Sequence, residues 1–459
     1  MRPSLVLVLC LLALLPGCPT VRGRVPESEK VDLGVELRNH TFTLPNGLVV
    51  VMHRDSSARS AYVHVAYDVG SKDDPVGRAG LAHLFEHLLF GPTRHGDQDA
   101  ARVLDEIGAD FNASTDRDET RYHEGFAPAE LPRILWLEAE RMAYAASRVD
   151  ETTLARERDV VVNEWRERYE NEPYGHMLAS AYAEAYGRGH PYAHPTIGFP
   201  DELARVTLED VRAFAQANYR PNRATLVVCG AFDPTSTRKL IERYFATIPP
   251  GPTPSPRVVA GAVIRRSRTV TIEADVPAPR VLIAWPAPGI DGDGLEELSL
   301  GLQIFESSAG WRLILDRKIA TEVRAWVDPR VLGSLALIDV RGTAGSDAGA
   351  LVSGIDWDLD QTVRAAEMRE VERFGDLKTR TMVRRVQALE HLTDRADELV
   401  HGVRHHGRPD ALQEHLQKLS HVRLADAGGA VRQLLVEAPR LVLMVKPTKG
   451  APRAGRVLR

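Results

Sequence analysis

The chain has 459 residues, 44% hydrophobic and 26% charged, the composition of an ordinary globular protein and too long for a single core. Two or more domains are therefore expected. A formal net charge of -5 excludes the broad basic surface with which a nucleic-acid binder neutralises phosphates.

The amino terminus reads as a targeting segment. A single positive charge, Arg2, precedes an unbroken apolar run from Leu5 to Leu15. That run is too short to span a bilayer as a helix and suits the apolar region of a secretory signal. It ends in Leu15-Pro16-Gly17-Cys18, which resembles a bacterial lipobox. Residues 1–17 are expected to be removed and Cys18 to carry lipid. Residues 18–38 would then tether the mature chain in the bacterial cell envelope, on the periplasmic face of the outer membrane. With Cys10 in the signal and Cys18 lipidated, only Cys229 remains of the three cysteines, so no disulfide framework is expected. Cys229 sits in the apolar "ATLVVCG" and reads as a small buried hydrophobe.

A domain is expected over 39–248. "HTFTLPNGLVVVMHRD" (40–55) predicts two short strands around an Asn46-Gly47 turn, and "SAYVHVAYDVG" (60–70) alternates as a strand with one buried face. Helical patterns follow at 78–90, 97–107, 128–146, 150–170 and 173–186. A helix opened by Thr207 and the strand 224–230 close the half. Strands followed by blocks of helices predict an α+β sandwich rather than an alternating parallel fold. The five prolines of "IPPGPTPSPR" (248–257) can continue neither a helix nor a central strand, so 249–260 reads as an extended linker.

A second domain, 261–450, looks like a copy of the first. "VTIEADVPAPRVLIAWPAPG" supplies strands, and helical blocks occupy about 295–318 and 358–400. "VRLADAGGAVRQLLVEAPRLVLMV" (422–445) echoes "VTLEDVRAFAQANYRPNRATLVV" (206–228), with Val-x-Leu, a helix, a proline and a hydrophobic strand in each. The expected fold is two tandem α/β sandwiches, each a mixed, largely antiparallel sheet under helices. The copy differs at one place: against "LAHLFEHLLFG" in the first half stands "LSLGLQIFESS" (298–308), without histidine.

"GLAHLFEHLLFG" (80–91) carries the chemistry. On a helix His83 and His87 lie one turn apart on one face, a spacing at which two imidazoles can hold one metal ion. Glu86 stands beside them, completing His-x-x-Glu-His. A catalytic zinc takes three protein ligands and keeps one open position. "ARERDVVVNEWRERYENEPYG" (155–175) offers Glu157 and Glu164, seven residues apart on one face and flanking apolar "VVV". Glu164 is the better third ligand, with Glu157 in support, although the residues alone leave that choice open. His190 and His194 read as loop hydrogen-bonding groups, and the i,i+4 pair His401 and His405 as a solvated helix face.

These motifs resemble the pitrilysin/insulysin-type zinc peptidases, in particular the bacterial branch similar to mitochondrial processing peptidase. "ERDVVVNE" matches the family's downstream motif, with Glu164 placed 77 residues after His87. "GADFNASTDRDETRYH" (108–123) is similar to its substrate edge strand, and 190–233 to another diagnostic stretch. The resemblance implies one Zn2+ per chain held by His83, His87 and Glu164, with Glu157 behind them. It implies Glu86 as the base toward the attacking water, and a peptide added as a strand beside Asn112. It also exposes a departure. Active members grip substrate with an arginine and tyrosine pair from the C-terminal half-molecule, yet all 11 tyrosines here lie between Tyr62 and Tyr244. The expectation is a zinc endopeptidase for peptides or unfolded segments, acting as the catalytic subunit of a heterodimer whose metal-free paralogue supplies that pair. The alternative is a catalytically idle, zinc-binding assembly subunit of an envelope complex.

Overall fold

The computed structural model describes residues 36–96, 98–253, 261–262, 264–290, 292–368 and 371–455. The expected signal, Cys18, most of the tether and residues 254–260 of the expected linker lie outside those described.

The first half opens with β1 (His40–Thr43) and β2 (Val49–Arg54), an antiparallel hairpin in which Gly47 takes the positive φ of 90° that its turn requires. β3 (Ala61–Tyr67) leads to α1 (Leu81–Leu88) and α2 (Ala100–Glu106). The hairpin β4 (Asp110–Thr115) and β5 (Thr120–Phe126) follows. Then come α3 (Leu131–Tyr144), α4 (Glu151–Trp165), α5 (Met177–Tyr186), the short α6 (Pro200–Leu203), α7 (Leu208–Asn218), β6 (Ala224–Gly230) and α8 (Pro234–Phe245). The sheet order is β1-β2-β6-β3-β5-β4, with β2 and β6 parallel and every other pair antiparallel. Thr207 caps α7 as expected, exchanging hydrogen bonds with Asp210 at N3.

The second half runs β7 (Arg268–Ala274), β8 (Arg280–Ala287), α9 (Leu295–Gly310), β9 (Ala320–Asp328) and β10 (Ser334–Gly342). It continues through α10 (Ala348–Met368), α11 (Val371–Ala388), α12 (Leu392–His406), α13 (Leu412–His421), α14 (Leu424–Val431) and β11 (Leu441–Pro447). Its sheet order β7-β11-β8-β10-β9, again with one parallel pair (β11 with β7), reproduces β2-β6-β3-β5-β4 strand for strand. The fold is thus two tandem α/β sandwiches on mixed sheets. The hairpin β9–β10 is an addition to what the sequence suggested, and the helical block expected at 358–400 is three helices, the first beginning at Ala348.

Each half seals the other's sheet. Tyr182, Tyr186 and Ala181 of α5 pack on Leu282, Ala284, Leu441 and Leu443 of the second sheet. Reciprocally, Ala396, Leu399 and Val400 of α12 cover Val51, Tyr62, Val227 and Cys229 of the first. Ion pairs edge this joint: Arg395–Asp55 at 2.7 Å, Arg404–Asp68 at 3.1 Å and Arg404–Glu119 at 2.9 Å. Where the β4–β5 and β9–β10 turns meet, Arg330 reaches Asp116 at 2.7 Å and Tyr192 donates its hydroxyl hydrogen to Asp118. Among the described residues no helix is long and apolar enough to cross a membrane.

Candidate metal centre

α1 is short, so its place is set by what it buries. Leu81, Leu84, Phe85 and Leu88 enter the first core, and the Phe85 ring lies 4.3 Å from that of Tyr219. Each such side chain contributes about 1.5–3 kcal/mol of burial. The amino end is clamped as well. Asp74 accepts from the backbone N–H of Gly80 at 2.7 Å and of Ala82 at 2.8 Å, and Glu202 accepts from Ala79 at 2.8 Å. Asp74 thereby satisfies donors that a helix start leaves open, and Glu202 ties down the residue before the cap. Gly80, at φ 95°, presses against the Ile197 carbonyl, leaving 2.4 Å for a Cβ.

α4 lies across α1. Asp150 caps it by accepting from Thr153 N–H at 2.8 Å, and Leu154, Val161 and Trp165 form its buried stripe. Glu157 and Glu164 share that side. The helix then passes into a π-helical turn, Arg166–Asn171.

The two helices bring His83, His87 and Glu164 together, with one ligand atom from each within 4.8 Å of the others. Nε2 of His83 is 3.8 Å and Nε2 of His87 3.6 Å from Oε2 of Glu164. The second carboxylate oxygen, Oε1, pairs with Arg168 at 2.8 Å. Glu157 stands behind, 3.9 Å from Nδ1 of His87. Burial pushes the His83 imidazole down to about 4, into the neutral form a metal ligand needs. Burial also works to lower His87, but the Glu164 carboxylate outweighs it and holds that ring above the usual histidine range. Burial raises the Glu86 carboxyl, against a lowering hydrogen bond from Thr115 on β4. Two buried polar atoms find no partner, Nδ1 of His83 and Oε2 of Glu86. Two imidazoles and one carboxylate with a spare buried carboxylate oxygen beside them fit Zn2+, whose catalytic sites use such donor sets.

Asn112 lies on β4, the free edge of the first sheet, and is exposed, its Oδ1 accepting from the Ala113 N–H at 2.9 Å. His190 and His194 stay apart from this cluster. Nδ1 of His190 accepts from Tyr192 N–H at 3.0 Å, and Nδ1 of His194 is 3.1 Å from the Pro195 carbonyl oxygen. Sequence reasoning missed Asp74, Thr115 and Arg168. Only Arg168 carried a readable signal, its i+4 spacing from Glu164.

In the second half, α9 follows β8 as α1 follows β3. Aligning "LAHLFEHLLFG" with "LSLGLQIFESS" sets Leu300 and Ile304 against His83 and His87, and Gln303 against Glu86. Leu300 is buried with Phe374, Leu419 and Val422, and Ile304 packs on them. Gln303 accepts from the Thr381 hydroxyl at 2.9 Å. An apolar plug fills the equivalent place.

A buried His-x-x-Glu-His helix, closed by a glutamate from a second helix, is the arrangement of the inverted-motif metallopeptidases. Comparison supplies the family. Residues 49–198 match the family described as Insulinase (Peptidase family M16), and residues 205–329 match the Peptidase M16 inactive domain; together they span more than half the chain. The chain belongs to peptidase family M16. It is 34% identical over 215 residues to zinc protease PqqE of Helicobacter pylori, covering 46% of this chain and 47% of that one. It is 27% identical over 261 residues to the mitochondrial-processing peptidase subunit beta of Saccharomyces cerevisiae, covering 54% and 55%. Each match spans about half of the relative's length. A crystal structure of a protease from Helicobacter pylori shares the fold, with a TM-score of 0.82 at 24% identity over 90% of this chain and 100% of that one.

Proposed function

We propose that this chain is a zinc-dependent endopeptidase for peptides or unfolded protein segments, with Zn2+ held by His83, His87 and Glu164. The observation that carries this reading is the meeting of those three ligand atoms beside a buried, unpartnered Glu86 oxygen. Zn2+ there would supply Lewis acidity toward water and the scissile carbonyl. The remaining work falls to this chain's own groups. Glu86 Oε2 accepts the proton of the attacking water and returns it to the leaving amine, and its raised affinity for a proton suits both transfers. Glu157 steadies His87 through Nδ1, and Arg168 occupies Oε1 of Glu164, so Oε2 is the oxygen facing the histidines. The free edge of β4 offers main-chain groups to an extended peptide alongside Asn112.

The reading extends to a heterodimer, supported by the absence of tyrosine from 262–459 and by similarity to a protein named as a subunit. It extends also to the cell envelope, supported by the lipobox-like Cys18. Glu86→Gln should leave zinc bound and lower peptide cleavage by about 10^2–10^4-fold. The assay uses the chain with a metal-free paralogue, with and without chelator. Unchanged cleavage by that variant sinks the mechanism. Full-rate cleavage by the single chain sinks the heterodimer, and no cleavage by the wild-type pair favours an idle assembly subunit.

A further inference from the structure

Six of the sixteen histidines fall within residues 391–421, and the metal centre uses none of them. His401 and His405 are one turn apart on α12 with ring centroids 4.7 Å apart, against 4.9 Å for His83 and His87. The His406 ring is 5.6 Å from that of His401. From α13, His415 faces the group and holds a 3.5 Å contact with Glu296.

We propose that His401, His405 and His406 form a second metal site, selective for a late first-row divalent cation such as Zn2+, Ni2+ or Cu2+. Imidazole is a ligand of choice for those ions and a poor one for Mg2+ or Ca2+. Access is open: His401 and His405 line a cavity of about 330 Å³ between the halves. Asp394 and Glu398 line it too, so acidic oxygens accompany the imidazoles along one stripe of α12 (394, 398, 401, 405). The three rings are less tightly gathered than the ligand atoms of His83, His87 and Glu164, and the exposed His406 ring is the one with room to turn toward the other two. Since α12 is the helix that seals the first sheet, an ion there would stiffen the joint between the halves.

The site stands independently of the peptidase reading, and one titration separates them. Metal-stripped full-length protein is titrated with Zn2+, and separately Ni2+, against a chromophoric chelator. Wild type should bind two equivalents, and His401→Gln/His405→Gln/His406→Gln one, with circular dichroism unchanged. His83→Gln/His87→Gln should also retain one. If the His401 triple variant binds as much as wild type, or His83→Gln/His87→Gln binds none, the second site is wrong. It is equally wrong if His401→Gln alone leaves the weaker affinity unchanged, because that is the behaviour of isolated surface imidazoles. A single equivalent lost only in the triple variant would instead uphold this site and overturn the other.

Discussion

Glu157 approaches the nitrogen of His87 that points away from Glu164, at 3.9 Å, so a metal taken at Nε2 would leave the ring's proton on Nδ1, on the side of that carboxylate. Such outer partners are worth about 10–100-fold in metal affinity. Glu157→Gln is therefore expected to weaken zinc binding within that range while His83 and Glu164 stay in place, which chelator competition measures directly. Glu164→Gln alters the proposed ligand and with it the partner of Arg168, and should cost more. Equal losses from the two variants would show that Glu157 is itself a ligand.

At the scale of elements, α1 depends on a backbone contact rather than on helix propensity. Gly80→Ala imposes a left-handed φ on a residue with Cβ and drives that atom to 2.4 Å from the Ile197 carbonyl oxygen. The α1 start must shift, so zinc affinity and Tm should both fall. Gly77→Ala is the control. It has φ 76° but open space around it, so only the backbone term of about 1–2 kcal/mol applies and metal binding should hold. If both variants keep wild-type zinc affinity, the clamp does not position the site. This contact also marks the limit of what the sequence discloses. His83 and His87 are legible because helical periodicity sets them on one face, while spacing only narrows the third position to Glu157 or Glu164 and the family resemblance points to Glu164. The Ala79–Glu202 and Gly80–Ile197 contacts depend on segments more than about 100 residues apart meeting, which no local pattern encodes. β9 does alternate, Val323, Ala325 and Val327 against Glu322, Arg324 and Asp328, and only Trp326, apolar on the polar face, interrupts the pattern. The early turns of α10 were hidden by Gly349 and Gly354, poor helix formers, the second of which lies against Leu313 with 2.8 Å for a Cβ.

For the whole molecule, the joint between halves predicts acid sensitivity in two stages. Burial pushes His176 and His401 down to about 4, below the 6.5 of an exposed ring. A group with a depressed folded pKa gives its stability in full above 6.5 and loses it as pH falls toward 4. Burial works to raise the Asp116 carboxyl, yet Arg330 across the joint outweighs it and holds the group below the usual range. Its contribution is lost later, as pH drops below about 4. The Tm of chelated protein should be level above pH 7, fall between about 6.5 and 4, and fall again below. His176→Gln should flatten part of the first decline, and a level Tm down to pH 5 would contradict the assignment.

The exchange of sealing helices also sets an order in time. The first sheet is complete in sequence at Gly230, but the helix that covers Tyr62, Val227 and Cys229 begins only at Leu392. About 160 residues must be synthesised in between, on the order of 8–30 s at ribosomal rates. Throughout that interval the nascent amino-terminal half displays an apolar sheet face that its own chain cannot yet shield. Its yield should therefore respond to chaperone supply during translation far more than to conditions applied to the finished protein.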